Sequence, residues 1–473
     1  MLGRVFKAYD VRGTYPDLLT DQMAWQIGFG VSRFLLSDAE AAGETTPMMT
    51  NVVVGRDMRA SSPKLSEQLI EGITEHGANV IDVGLVDTPF VYFAINHLDC
   101  AGGVQVTASH NPPQYNGFKV SKRKAKPVGE QTGLAEVRKH AAVVDKASAP
   151  GGGRVEQRDL WDAYRGHVRQ FLDTEGARPL KVVIDASNAM AGTMVPKIFG
   201  AKGGDTPNVE IVELNFDNTK GEFVHEPNPL VAANLAQLQQ AVTEHKADLG
   251  VCFDGDADRL VIVDEKGGIV GCDHLTALLA GHFLKQRPGT AVIYDLRSTK
   301  AVEEDIAKAG GVPVRSRVGH VFMKQELSER GGCFGGELSG HFYFADNFNA
   351  DSGAIALAVV LTVVGASDKP VSELIKPIAR YSQSGEINFE IEDKDAALEL
   401  LREQFGPGSD HDGDLDELDG VTIDCFKTEG WWCNVRKSNT EPLLRLNLEA
   451  RDPATLERMI GLVSPLLGTR VEH

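Results

Sequence analysis

The chain has 473 residues, 42% of them hydrophobic and 24% charged, which is more than one hydrophobic core holds and is the composition of a globular chain, not a disordered one. Its 48 Lys and Arg against 67 Asp and Glu give a formal charge of -19, a balance that repels nucleic acid and anionic membrane in the mean field; an anionic small substrate then needs a local convergence of basic residues. The cysteines at 100, 252, 272, 333, 425 and 433 fall singly, with no CxxC pair for zinc or redox work, and no run approaches the roughly 20 apolar residues of a membrane span, so three or four domains in a reducing, cytoplasmic setting are predicted.

In chain order, the opening segment MLGRVFKAYDVRG has no apolar core flanked by a cleavage site. Val52–Val54, Val80–Val83 and Val104–Val106 read as strands, with a helix over Pro63–Gly77. The stretch Ala147–Gly153 is small, Pro/Gly-rich and without periodicity, and a boundary is placed there. A second unit is read from helix Trp161–Phe171, strands Lys181–Asp185 and Glu210–Leu214, helix Leu230–Glu244 and strand Leu249–Phe253. A third has helices Leu275–Leu284, Ala301–Ala309 and Val321–Leu327 between strands Ala291–Asp295, Val312–Arg315 and Cys333–Glu337, followed by helix Gly353–Val364. This alternation predicts α/β layers with largely parallel strands. The closely spaced strands Glu386–Ile391, Val421–Phe426, Trp431–Arg436 and Leu444–Glu449, flanked by helices Asp395–Phe405 and Leu456–Leu466, predict a small antiparallel sheet covered by helices. The acidic stretch Asp410–Asp419 reads as a solvated loop.

Four loops concentrate chemistry. Thr107-Ala108-Ser109-His110-Asn111-Pro112-Pro113 offers a hydroxyl, an imidazole and an amide after a buried-looking strand; a polar loop stopped by prolines is the plainer reading. Ser109 and His110 are adjacent in sequence, which argues against a hydrolase triad, whose members come from separate segments. Asp254-Gly255-Asp256-Ala257-Asp258-Arg259 sets three carboxylates on alternate residues, a pattern that suits Mg²⁺ and is costly without a cation, although a solvated acidic turn has the same composition. A calcium loop is rejected, because its sixth position would be Arg259 where Gly is required and Leu260–Val263 is a hydrophobic strand. Gly335-Gly336-Glu337-Leu338-Ser339-Gly340-His341 offers Glu337 and Ser339 to sugar hydroxyls, or is a Gly-rich turn, and Arg317-Val318-Gly319-His320 adds an imidazole at a helix start. Arg436 and Arg445 bracket Ser438, Asn439 and Thr440, which makes a phosphate clamp and the basic convergence missing from the average charge. Together these residues specify a phosphorylated polyol, a hard cation and an accessible serine, the needs of phosphoryl transfer.

With Phe6-Lys7-Ala8-Tyr9-Asp10-Val11-Arg12-Gly13 at the start, these motifs occur in an order that resembles the α-D-phosphohexomutases, and within them the phosphomannomutase/phosphoglucomutase branch. The resemblance spans nearly the whole chain. It implies an α/β architecture of four domains, three of mixed α/β type and a smaller C-terminal antiparallel-sheet domain with helices. Their expected extents are 1–150 with the serine loop, 151–259 with the metal loop, 260–375 with the sugar loop and 376–473 with the clamp.

It also implies that Ser109 is a phosphoserine whose phosphate joins Asp254, Asp256 and Asp258 around Mg²⁺, with Arg259 helping to hold it. Lys7, Arg12, His110 and Lys119 would stand near the transferring group, Lys119 as an acid/base candidate. Glu337 and Ser339, with His320 and His341 close by, would hold the sugar, and Arg436, Ser438, Asn439, Thr440 and Arg445 the phosphate that does not react. Arg297 stands where the family has a lysine, and would bind without acid/base work. The implied reaction interconverts hexose 1-phosphate and hexose 6-phosphate, of mannose or glucose, through a hexose 1,6-bisphosphate. A phosphoglucosamine mutase and a non-catalytic sugar-phosphate-binding protein are the alternatives. Hexose phosphates are the expected partners, with no nucleic acid and no membrane, in a monomer or small homo-oligomer.

Overall fold

A computed structural model of the chain describes residues 2–44, 46–144, 149, 151–438 and 442–471. The fold divides into two compact units, Met1–Val270 with Ser339–Ser372, and Gly271–Leu338 with Glu373–His473.

The first unit holds two sheets. In the larger, strands run in the order Val11–Thr14, Tyr115–Lys122, Gly102–Val106, Asn51–Arg56, Asn79–Leu85 and Val155–Gln157, with Lys126–Pro127 added beside Tyr115–Lys122. The apolar runs 51–56, 79–85 and 102–106 are parallel, as expected for strands buried on both faces, while 115–122 and 11–14 return antiparallel. Helix Ser62–His76 follows its sequence cues: Pro63 sits in the first turn and Gly77, at φ +109°, ends it.

The helix Asp21–Ala41, absent from the sequence reading, is started by Thr20, whose Oγ1 accepts from the Met23 N–H. It crosses Ser62–His76 so closely that a Cβ on Gly28 would lie 2.1 Å from the Leu69 carbonyl, and one on Gly72 2.0 Å from that of Trp25. Only glycine permits that approach.

Strand Val155–Gln157 pairs with Asn79–Leu85, so the first sheet runs past the boundary expected at residue 150. All three residues of the strand are exposed, which leaves no periodicity to read.

The second sheet is ordered Ile269–Val270, Leu260–Asp264, Leu249–Phe253, Leu180–Asp185, Val209–Leu214. Its last three strands are parallel, and Leu249–Phe253 turns back antiparallel into Leu260–Asp264. The domain break expected at residue 259 therefore falls inside a β-hairpin, and the acidic triplet is the hairpin's turn. The helix expected over Leu230–Glu244 begins later, as a 3₁₀ turn Ala232–Leu235 and then α-helix Ala236–His245. Pro227 and Pro229 lack the N–H a helix would use, and the Asn228 carbonyl is instead occupied by the Val231 N–H and Asn234 Nδ2. A hairpin Phe342–Phe344/Ala350–Asp351 and the almost wholly buried helix Gly353–Gly365 complete the unit.

In the second unit, parallel strands Val312–Ser316, Ala291–Asp295 and Phe334–Gly336 lie side by side, accompanied by helices Cys272–Gln286, Lys300–Lys308 and His320–Glu329. An antiparallel sheet follows, ordered Asp414–Asp416, Val421–Cys425, Trp431–Lys437, Leu444–Ala450, Ser382–Glu390 and Thr469–Val471. Its apolar face, including Ile387, Phe389, Val435, Leu444 and Leu446, packs on Leu401, Met459 and Val463 of helices Lys394–Phe405 and Pro453–Leu467. All six cysteines are buried, and none is in a disulfide among the described residues. Among the described residues no helix is long and apolar enough to cross a membrane.

Candidate functional site

The serine loop joins two neighbouring antiparallel strands, Gly102–Val106 and Tyr115–Lys122. Ser109 sits at φ +49°, left-handed and uncommon for a residue with a Cβ. What holds it there is Arg59, fully buried, whose guanidinium donates to the carbonyls of Ser109 (2.7 Å), Asn111 (2.7 Å), Pro112 (2.8 Å) and Tyr115 (3.1 Å), and through Nε to Asp57 Oδ2 (3.0 Å). Thr107 Oγ1 accepts from the Ser109 N–H at 2.9 Å and donates to Asp57 Oδ2 at 2.8 Å. Arg12 bonds Asn111 Oδ1 and Asp10 and so also braces the loop.

The serine expected to be accessible is buried, 1% exposed. The reason is close packing of the acidic turn on the serine loop, since a Cβ on Gly255 would lie 2.3 Å from the Ser109 carbonyl. The packing brings Ser109 Oγ to 2.9 Å from Asp254 Oδ2, while His110 Nδ1 stands 3.4 Å from the same hydroxyl. The positive charge of Arg259, then burial, then Arg12 and Lys119 push the His110 imidazole down to about 2, so it is neutral at physiological pH.

Asp254, Asp256 and Asp258 are buried, and each offers an oxygen within 4.8 Å of the others. Lys119 Nζ bonds Asp256 Oδ2 at 2.7 Å and Asp258 Oδ2 at 2.6 Å. Thr88 grips Asp256 twice, its hydroxyl donating to Oδ2 and its N–H to the carbonyl at 3.0 Å. Arg259 donates its N–H to Asp254 Oδ1 at 3.2 Å and holds Nε 3.6 Å from Oδ2.

Burial, then the neighbouring Asp258 and Asp256, push Asp254 up. Burial acts the same way on Asp258, but Lys119, His341 and Arg259 overrule it and hold that carboxyl well below the usual range. His341 Nε2 lies 3.4 Å from Asp258 Oδ1, and Ser339 Oγ pairs with His341 Nδ1 at 2.9 Å. Three carboxylates buried side by side repel one another, and Asp256 Oδ1 has no hydrogen-bond partner among the described residues. The donor set is all oxygen, so the residues fit a hard divalent cation such as Mg²⁺. Lys7 stands apart from this cluster in its contacts; it is exposed, and its Nζ donates to the Arg4 carbonyl at 3.0 Å.

The second unit carries the remaining residues. Arg297 is bonded through Nε to the buried Asp295 at 2.9 Å, and its Nη1 is 3.4 Å from Glu386 Oε2. Arg436 Nη2 reaches the same oxygen at 3.2 Å, and Arg445 Nη1 reaches Glu386 Oε1 at 3.0 Å. Burial and the charge of Arg297 lower the Arg436 guanidinium, with Glu386 opposing them. Glu337, buried, accepts from the Gly319 N–H at 3.0 Å, next to His320 at the start of helix His320–Glu329. Ser438 closes its loop through its N–H on the Leu443 carbonyl at 2.9 Å. Asn439 and Thr440 lie outside the described residues.

Within the first unit the structure thus joins Ser109, His110, Lys119, Arg259, His341 and the acidic triplet, with Arg12 bracing the serine loop; within the second it joins Arg297, Arg436 and Arg445. The sequence reading missed Arg59, Thr88 and Glu386. Asp57-Met58-Arg59 between a strand and a helix was the one signal for the first. Thr88 reads only as a helix start, and Glu386 only as one charge on a strand.

Profiles of the phosphoglucomutase/phosphomannomutase family match four successive segments: α/β/α domain I over residues 3–147, domain II over 162–268, domain III over 272–381 and the C-terminal domain over 386–462. The chain is 37% identical over 467 residues to the phosphohexose mutases of Xanthomonas campestris pv. campestris, covering 98% of each sequence. It is 35% identical to a phosphomannomutase of Escherichia coli K12, over 95% of this chain and 96% of that one. Among solved structures, a phosphoglucomutase/phosphomannomutase family protein of Burkholderia thailandensis superposes with a TM-score of 0.84 at 31% identity, over 98% and 96% of the two chains.

Proposed function

The chain belongs to the α-D-phosphohexomutase superfamily, in its phosphomannomutase/phosphoglucomutase branch, and from that membership we propose that it interconverts hexose 1-phosphate and hexose 6-phosphate, of mannose or glucose, with Ser109 as the phosphoryl carrier. The observation that carries this reading is the 2.9 Å approach of Ser109 Oγ to Asp254, inside a buried set of three carboxylates that fits a divalent cation.

In the proposed cycle phosphorylated Ser109 meets a hexose monophosphate. The bond from phosphorus to Oγ breaks as one from phosphorus to the free sugar hydroxyl forms, giving a hexose 1,6-bisphosphate, and the hydroxyl proton passes to a base. Return of the other phosphate to Ser109 completes the relocation. A Mg²⁺ held by Asp254, Asp256, Asp258 and the serine phosphate would offset the charge that spreads over the phosphoryl oxygens. Arg259 and Arg12 add fixed positive charge at the serine loop, and neutral His110 can accept or donate a hydrogen bond there. Lys119 is the proposed acid/base group. Burial of the Ser109 hydroxyl limits the access of water to it. Arg436, Arg445 and Arg297 grip the phosphate that does not react, joined by Ser438, Asn439 and Thr440, and Glu337, Ser339, His320 and His341 serve the sugar. Six buried cysteines outside any disulfide suit a reducing cytoplasm.

The test is a coupled assay with mannose 1-phosphate, glucose 1-phosphate and glucosamine 6-phosphate, with and without hexose 1,6-bisphosphate. The first two should turn over, with the bisphosphate as activator. Dominant turnover of glucosamine 6-phosphate would reassign the sugar, and binding without turnover of any of the three would remove the mutase reading.

A further inference from the structure

Arg436 and Arg445 are direct partners on adjacent antiparallel strands of the second unit. Two like charges facing each other across a ladder repel, so their pairing needs a counter-charge on the same face. The next strand supplies it through an irregularity. Along Ser382–Glu390 the pairing slips by one residue between Gln383, opposite Glu449, and Glu386, opposite Asn447, with Gly385 at φ +67°. Strict alternation would send residues 383 and 386 to opposite faces; the bulge puts both on the polar one.

There the Glu386 carboxylate meets all three arginines, Arg445 through Oε1 and Arg436 and Arg297 through Oε2, at 3.0, 3.2 and 3.4 Å. Asp295, also against Arg297, is fully buried, whereas the Glu386 side chain is 28% exposed. Of the two carboxylates, Glu386 is the one that can be exchanged for a ligand from solution.

We propose that Glu386 is the resident anion of the phosphate grip, whose place among the three guanidiniums is taken over by the phosphate of a hexose phosphate. The inference rests on the proposed mutase reading and deepens it. Guanidinium forks recognise carboxylate and phosphate by the same paired oxygen geometry, so each binding event exchanges one anion for another. Held by Glu386, the arginines stay ordered when no ligand is bound. Opposed by Glu386, a bound phosphate leaves readily, as a bisphosphate that must be gripped by either end requires.

Calorimetric titration of the full chain with inorganic phosphate, in chelator, compares wild type with Glu386→Gln, Glu386→Asp and Arg445→Gln. Glu386→Gln keeps the shape and removes the competing charge, and should bind phosphate at least fivefold more tightly. Its KM for hexose monophosphates should fall, and its kcat should fall with slowed release of the bisphosphate. Glu386→Asp should stay within about twofold of wild type. Arg445→Gln should weaken phosphate binding at least tenfold. If Arg445→Gln weakens binding while Glu386→Gln leaves it unchanged or weaker, the grip stands and the role of Glu386 is overturned. If phosphate binding is insensitive to Arg445→Gln, the grip itself fails, and the inference falls with it.

Discussion

Ser109 Oγ and Asp254 Oδ2 lie 2.9 Å apart although 145 residues separate them in sequence. One comes from a loop braced by Arg59, the other from the turn of a hairpin, and glycine at 255 lets the two backbones touch. If this contact marks the phosphoryl carrier, intact-mass analysis of purified protein should find a phosphorylated fraction that maps to Ser109. Ser109→Ala should lose mutase turnover by at least about a thousandfold, a barrier increase of about 4 kcal/mol, with an unchanged far-ultraviolet circular dichroism spectrum. Near-normal turnover in the alanine variant would remove the covalent relay.

Metal dependence should follow the triplet and its support. Chelation is expected to abolish activity and added Mg²⁺ to restore it, and Asp256→Asn should weaken binding of Mn²⁺, followed by electron paramagnetic resonance, by at least tenfold. Thr88→Val removes the hydroxyl that positions Asp256 Oδ2 while keeping side-chain volume close. It should raise the Mg²⁺ concentration for half-maximal activity several-fold, with little change in KM for hexose phosphate. Full activity in stripped protein would contradict the site.

Arg59 spends its donors on four loop carbonyls and Asp57 in a fully buried setting. Arg59→Lys cannot reproduce that fork and leaves buried acceptors unpaired. It should destabilise the protein by about 3 kcal/mol or more, seen as a lower midpoint in urea, and should slow phosphorylation of Ser109 by the bisphosphate even where the variant is fully folded. A variant with wild-type stability and phosphorylation rate would show that Arg12 and Thr107 suffice to hold the loop.

Arg445→Lys keeps positive charge in the grip and removes its bidentate fork. It should impair hexose 1-phosphate, hexose 6-phosphate and 1,6-bisphosphate alike, by roughly 1.5–3 kcal/mol or about ten- to a hundredfold in kcat/KM. Steady-state kinetics with each substrate, beside phosphoserine mass analysis, make the check. Loss confined to one of the three would mean that Arg445 serves only one end of the sugar.

His225 provides a pH test of stability. Burial alone would lower its imidazole, but the bond to Asp185 Oδ2 at 3.0 Å and the carbonyl of Glu226 outweigh it and raise the folded-state value above 6.5. The folded state therefore binds the proton more tightly. The stabilisation is complete below about 6.5 and is lost as pH rises through the raised folded value. Wild type should exceed His225→Gln in thermal midpoint by more at pH 6 than at pH 8.5, and a difference independent of pH would mean that the pair is not ionic.

Most of the residues that the structure brings together were legible in sequence because they sit in short contiguous runs. Ser109 with His110, the alternate carboxylates at 254, 256 and 258, and the arginines around the loop at 438 each show their residue types side by side. Buried strands such as Ala291–Asp295 and helices such as Ser62–His76 declare themselves by apolar runs, period and caps, which are local physics. Tertiary structure alone decided how the runs meet. Gly255 allows the acidic turn against the Ser109 carbonyl, Arg59 reaches over 50 residues to hold that loop, and Thr88 caps nothing with its hydroxyl but anchors Asp256. A one-residue bulge turns Glu386 onto the face of Arg436 and Arg445. The physical reason is common to all of these. A side chain's type and local period are written in its neighbours along the chain, whereas the face it presents and the partner it meets depend on register and close packing between segments far apart in sequence.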